Sequence, residues 1–202
     1  MHQTILLTML IGIAGIVMPA STQNLSGEAL VNALRLGGYV LVMRHASSPT
    51  AAPDKQGAQP DNVNLERQLD ERGRATAIAM GKALRVLGIP VGDVFTSPTY
   101  RARETVRLAE LPKPQLQDEL GDAGQSMRGV SNTQSDWLKN KVAQLPRTTN
   151  TILVTHLPNI TAAFPQWAAG LSDGETLVVG SDGKGGVTLV ARVKIEQWPS
   201  LR

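Results

Sequence analysis

The 202-residue sequence contains no cysteine. That absence excludes disulfides, zinc–thiolate sites, a lipoprotein anchor and a cysteine nucleophile together. Aromatic residues are only 3% of the chain, so Ala, Val, Leu and Ile must fill the core, and a hydrophobic content of 42% is enough for one. Charged residues are 18%, interspersed, with a net charge of +3. No Lys/Arg block occurs and basic residues do not interleave with aromatics, so nucleic acid is not an expected partner. Histidine is scarce as well, with three in the chain. None stands at a metal-ligand spacing, which argues against a metal-dependent hydrolase.

Lys and Arg are missing from the first 34 residues. That stretch contains "ILLTMLIGIAGIV", Ile5 to Val17, followed by "MPAST". An apolar run with small residues behind it has the form of a secretory signal, and it is too short for a comfortable membrane span. The alternative is a buried N-terminal helix. The expectation is a signal peptide over about residues 1–22, cut near Ala20 to Gln23, and a single domain over 23–202. The protein would then be periplasmic or secreted. No second apolar stretch of that length follows, so no stable membrane span is expected in the mature chain.

What is present alternates. "SGEALVNALRLGG" predicts a helix from Ser26, stopped by Gly37 and Gly38. "YVLVM", Tyr39 to Met43, predicts a strand buried on both faces. Residues 46–64, rich in Pro, Ala, Gly and Asn, form a long loop of the kind that often carries function. "LDERGRATAIAMGKALRVLGIP" predicts a helix with Ala75, Ile78, Ala79, Ala83, Val86 and Leu87 on its apolar face. "DVFTS" predicts a strand, and a helix follows with Ser97 as N-cap and Pro98 at its first position. Residues 111–134 are irregular. "TQSDWLKNKVAQL" predicts a helix presenting Trp137, Leu138, Lys141, Val142 and Leu145. "TILVT" is a third apolar strand, a helix spans about Asn159 to Ala169, and "ETLVVGSDGKGGVTLVARV" is a hairpin. The alternation argues an α/β three-layer sandwich with a mostly parallel central sheet, and the C-terminal antiparallel hairpin at an edge.

His45 and His156 each directly follow an apolar strand, and Arg101 lies in the first turn of the helix after another. In an open α/β sheet, ligands bind beyond the carboxyl ends of the strands. "LVMRH", "VFTSPTYR" and "ILVTH" therefore deliver Arg44, His45, Arg101 and His156 to one edge. Guanidiniums offer forked donors to phosphate or carboxylate, and a helix N-terminus adds backbone N–H groups. An imidazole can attack phosphorus while the cations offset charge on the transferring group. Taken singly, each residue has an ordinary structural reading; the shared edge favours an anion site.

These residues resemble a known family. "VMRHA" is similar to the Arg-His-Gly/Ala signature of the histidine phosphatase (phosphoglycerate mutase-like) superfamily. "LDERGRATAIAMGKAL", "VFTSPTYRARETVRLA" and "LVTHLPNI" resemble its helix, Ser-Pro-x-x-Arg and second-histidine segments, in order from about Tyr39 to Gly170. The tail "DGETLVV" resembles small secreted bacterial members. The resemblance implies a phosphomonoester hydrolase in which His45 carries a phosphohistidine and Arg44, Arg101 and His156 hold the phosphoryl oxygens, with no metal or organic cofactor. It points to Glu119 as proton donor, with Asp118, Asp122 and Glu175 as competitors. Ser47 and Asn62 are candidate phosphate contacts. The substrate would be a small phosphorylated molecule, with phosphosugars suggested by secreted relatives. A non-catalytic phospho-ligand module and a phosphomutase remain the alternatives. Oligomeric state is not readable.

Overall fold

The computed structural model describes residues 24–49, 64, 66–122 and 130–202. The segment expected to be a signal and most of the 46–64 loop, Asn62 included, lie outside them.

Helix α1 (Gly27–Leu36) has Ser26 at its N-cap position, without a side-chain capping bond, and ends at Gly37, whose φ of 78° suits a residue without a side chain. Strand β1 (Val40–Arg44) follows. Then come α2 (Glu71–Val86), β2 (Val91–Thr96), α3 (Tyr100–Leu108) and the two-residue β3 (Gln115–Leu116). After a 3-10 turn at Asp118–Leu120 the chain forms α4 (Asn132–Val142), β4 (Asn150–Thr155), α5 (Leu157–Ala163) and α6 (Pro165–Ala168). The hairpin β5 (Thr176–Ser181) and β6 (Val187–Val193) precedes a C-terminal 3-10 helix, Ile195–Ser200.

The sheet order is β3-β2-β4-β1-β5-β6. Strands β1, β2, β3 and β4 pair in parallel, while β5 and β6 add antiparallel at one edge, as the sequence predicts. Side chains alternate across β1. Leu41 and Met43 enter the layer filled by α1, α2, α3 and Trp198, while Val40 and Val42 enter the layer filled by α4, α5 and α6. Two covered faces explain why the central strands read as continuous apolar runs.

Three expectations are corrected. Helix α2 buries Gly73, Ala77, Met80, Gly81, Ala83 and Leu84, and leaves Ile78 and Val86 exposed. Small residues face inward because α3 approaches closely: a Cβ on Gly81 would overlap the Ala109 backbone carbonyl. Helix α3 starts at Tyr100 with Thr99 as N-cap, not at Pro98 behind Ser97. The helix expected over Asn159 to Ala169 is two, starting earlier at Leu157 and broken at Phe164 ahead of Pro165.

Candidate active site

Strands β2, β4 and β1 are neighbours, and their carboxyl ends are level. Arg44 stands beside Thr155, and Thr96 beside Val154. The ladder continues one residue further: His45 N donates to the Thr155 carbonyl and Ser97 N to the Val154 carbonyl, each at 3.0 Å. This register brings His45, Ser97 and His156 to one edge, and the first turn of α3 adds Arg101. All four are buried, Arg101 completely.

The two imidazole rings meet edge to face, with centroids 5.2 Å apart. His45 Nδ1 lies 2.8 Å from the Ala46 carbonyl oxygen, which can only accept, so Nδ1 carries the ring proton and Nε2 keeps a lone pair. Arg101 Nε lies 3.3 Å from that Nε2 and Arg67 Nη2 lies 3.4 Å from it. His156 Nε2 lies 2.9 Å from Ser97 Oγ and 3.3 Å from Thr99 Oγ1. Its Nδ1 lies 3.2 Å from Arg101 Nη2 and 3.4 Å from Asp122 Oδ2. Burial holds both imidazoles well below the ordinary value of 6.5. Repulsion from His156 and Arg101 adds to this at His45, and repulsion from Arg101, Arg67 and Arg44 at His156. Both rings are therefore neutral near pH 7.

The backbone of the loop after β1 is held by α2 and α3. Ala46 N donates to Thr105 Oγ1 at 3.1 Å, and Asp70 N donates to the Ser47 carbonyl at 3.1 Å. Asp70 caps α2 by accepting from Gly73 N at 2.7 Å, and also accepts from Ser47 Oγ at 2.7 Å. The Ser47 hydroxyl is thus directed to a helix cap. A Cβ on Gly73 would overlap the Ser47 carbonyl, so glycine is what lets the start of α2 lie against this loop.

Arg44 reaches the rim, donating to the Leu171 carbonyl at 3.1 Å and pairing with Asp173 at 2.6 Å. Among the sequence-predicted carboxylates, Asp122 joins the cluster. Its carboxylate pairs with Arg101 inside the protein. The turn before it is anchored by Thr155 Oγ1 donating to the Leu120 carbonyl at 2.7 Å, and by Asn159 Nδ2 donating to the Gly121 carbonyl at 3.0 Å. Asn159 also donates to the Glu119 main-chain carbonyl at 3.2 Å. Among the described residues no hydrogen bond or ion pair joins the side chains of Glu119 and Asp118 to this cluster, and Asp118 is exposed. Glu175 is buried and bonded to Arg192 Nε at 2.7 Å and to Ser172 N at 2.9 Å. Burial raises its carboxyl, but those bonds outweigh it and its pKa is lowered.

Two residues of the site escaped the sequence reading. Arg67 comes from the end of the long loop, and Arg67 Nε donates to Ser48 Oγ at 3.0 Å, which places the guanidinium before His45. Its only sequence signal is a basic residue three positions ahead of a helix cap. Asp173 lies past the second histidine, on the loop into β5. The N–H groups expected free at the start of α3 are partly engaged, since Tyr100 N donates to the Glu66 carboxylate. Arg44, Arg67 and Arg101 offer forked donors of the kind that hold an oxyanion, set among the carboxylates of Glu66, Asp122 and Asp173. Among the described residues no cluster of three or more metal-ligand side chains occurs, and no helix is long and apolar enough to cross a membrane.

Residues 40–122 match the family model of the histidine phosphatase superfamily (branch 1). The fold is similar to that of the protein histidine phosphatase SixA complexed with tungstate, with 18% identity, a TM-score of 0.54, and coverage of 79% of this chain and 98% of that one. It is also similar to phosphoserine phosphatase from Entamoeba histolytica in complex with 3-phosphoglyceric acid, with 12% identity, a TM-score of 0.54, and coverage of 76% and 95%. No curated protein matches the chain. The matched segment is similar to the histidine phosphatase superfamily and carries Arg44, His45, Arg67, Arg101 and Asp122.

Proposed function

We propose that the chain is a phosphomonoesterase that forms a phosphohistidine on His45. A phosphatase-type activity is what the family match and the solved neighbours support. The observation that carries the finer reading is the His45 ring: its Nδ1–H is tied to the Ala46 carbonyl, and its Nε2 lone pair faces Arg101 and Arg67 beside His156. That geometry supports His45 as a nucleophile with its lone pair on Nε2, and Arg101 and Arg67 as donors to charge developing on a phosphoryl group.

Arg44, Arg67 and Arg101 would hold the phosphoryl oxygens with His156. A bound dianion raises the proton affinity of His156, and Asp122 beside Nδ1 is placed to accept from the ring once it is protonated. Nε2 of His45 attacks phosphorus, and water then cleaves the N–P bond to release phosphate. The substrate is a small phosphorylated molecule, with phosphosugars as the class to test first.

Hydrolysis of p-nitrophenyl phosphate tests this reading. The wild-type protein is expected to turn over, His45→Ala to fall to background, and labelled phosphate to be trapped on the wild type in an acid-labile, base-stable bond. Turnover surviving in His45→Ala removes the mechanism. Phosphate binding without any turnover makes the protein a phospho-ligand binding module instead. A phosphate-release screen over phosphosugars, nucleotides and phosphopeptides then sets the substrate.

A further inference from the structure

The proposed reaction needs a proton for the departing oxygen, and the sequence-predicted donors are poorly placed for it. Asp122 is buried against Arg101, Glu175 is bonded to Arg192, and Glu119 and Asp118 make no side-chain hydrogen bond or ion pair with the cluster among the described residues. Asp173 is also paired with an arginine, its Oδ1 2.6 Å from Arg44 Nη2, but unlike Asp122 and Glu175 its side chain keeps 31% of its surface exposed, at the rim of the site.

The loop that carries it is strapped to the nucleophile's own strand end. Gly174 N donates to the His45 carbonyl at 2.9 Å, Arg44 N donates to the Glu175 carbonyl at 3.1 Å, and Arg44 Nη1 donates to the Leu171 carbonyl at 3.1 Å. Gly174 sits at φ 71° with the Ile195 side chain where a Cβ would be, so the loop takes this path only with glycine there. Asp173 also lines a cavity of about 210 Å³ next to the site, together with Ser47, Arg72, Thr76 and Lys194. That polar recess can seat a hydroxylated leaving group.

We propose that Asp173 is the catalytic residue that protonates the leaving oxygen, and that the recess beside it holds the alcohol portion of the substrate. The proposal rests on the phosphohistidine reading and deepens it. The electron pair of His45 Nε2 forms the N–P bond as the P–O bond breaks. The leaving oxygen keeps the pair from that bond and takes the proton of the Asp173 carboxyl, giving a neutral alcohol and a carboxylate beside Arg44. In the second half, Asp173 takes a proton from the attacking water as its oxygen bonds phosphorus and the N–P pair returns to Nε2. Phosphate leaves and the carboxyl is restored.

The surroundings raise the proton affinity of the Asp173 carboxyl. Burial pushes the Asp173 carboxyl up against the pull of Arg44 and Arg67, with Asp70 adding to the rise and Arg72 opposing it. Lys194 and Glu196 line the same recess, and an incoming phosphate dianion raises the carboxyl further.

The test is a leaving-group series on the full chain: dinitrophenyl, phenyl and alkyl phosphates, with wild type, Asp173→Asn, Asp173→Glu and His45→Ala. Asp173→Asn is expected to lose about 10²-fold or more in kcat/KM on the phenyl and alkyl esters, the usual scale of general acid catalysis. The loss should shrink as the leaving group becomes more acidic and needs less protonation. Asp173→Glu, which keeps a carboxyl, should retain more activity on the alkyl ester than Asp173→Asn. An equal loss across the series, or no loss, overturns the proposal and leaves Asp173 as a brace for Arg44; so does Asp173→Asn exceeding Asp173→Glu on the alkyl ester. Turnover in His45→Ala, or none in the wild type on any ester, overturns the phosphohistidine reading itself.

Discussion

At the scale of single residues the site is held by opposing charges inside the protein. Arg101 is completely buried, and its pairing with Asp122 offsets part of the cost of taking a guanidinium out of water. Such a pair contributes little net stability but fixes where the guanidinium points. Arg67 is different in origin, since it arrives from a loop, yet it faces the same nitrogen of His45 at 3.4 Å. If it stabilises the transferring phosphoryl group, Arg67→Ala should lower kcat/KM on aryl phosphates by about 10²-fold or more, the scale of removing one donor to developing charge. Arg67→Lys should recover only part, because an ammonium lacks the forked geometry. Steady-state kinetics with an unfolding curve for each variant checks this, and unchanged kinetics in Arg67→Ala would remove the residue from the site.

At the scale of elements, two glycines set how closely helix α2 lies against its neighbours. Gly73 meets the Ser47 carbonyl two residues beyond His45, and Gly81 meets the Ala109 carbonyl at the end of α3. Alanine at position 81 would gain roughly 1 kcal/mol from helix propensity. Against that stands an overlap with backbone, and overpacking of this kind costs about 1–3 kcal/mol. Backbone cannot rotate away as a side chain can, so the overlap should win. Gly81→Ala is expected to lower the urea midpoint with an unchanged slope, and a raised midpoint would show that α2 and α3 separate freely. Apolar periodicity pointed to Ile78 and Val86, but the face that packs carries Gly73 and Gly81 where backbone approaches closely, with Met80 and Leu84 filling the core between.

At the scale of the whole molecule, stability should follow the two buried histidines. Both have folded pKa values well below 6.5, whereas the unfolded chain takes up protons near that value. Below about pH 6.5 the unfolded state therefore binds more protons than the folded state, so stability falls with falling pH and is fully present above that range. The apparent Tm should drop between pH 7.5 and 5, less steeply in His45→Gln, which removes one of the two groups. Thermal melts across this range check it; a Tm that rises on acidification would mean the folded site favours charged histidines.

The strand–helix alternation, the antiparallel C-terminal edge, and the placement of Arg44, His45, Arg101 and His156 at one sheet edge were legible in the sequence alone. They follow from periodicity and from the rule that ligands gather beyond strand ends, both of which act within a few residues of each motif. Ser97 illustrates the limit: the sequence marks it as a helix cap, whereas its hydroxyl lies 2.9 Å from His156 Nε2, 59 residues away along the chain. Arg67, Asp122 and Asp173 were decided by the tertiary structure. Each belongs to a loop, where no period constrains direction, and each is placed by a partner remote in sequence: Ser48 for Arg67, Arg101 for Asp122, Arg44 for Asp173. Local propensity sets which elements form; only the packed chain sets which charges meet, because a buried charge must find its partner in three dimensions.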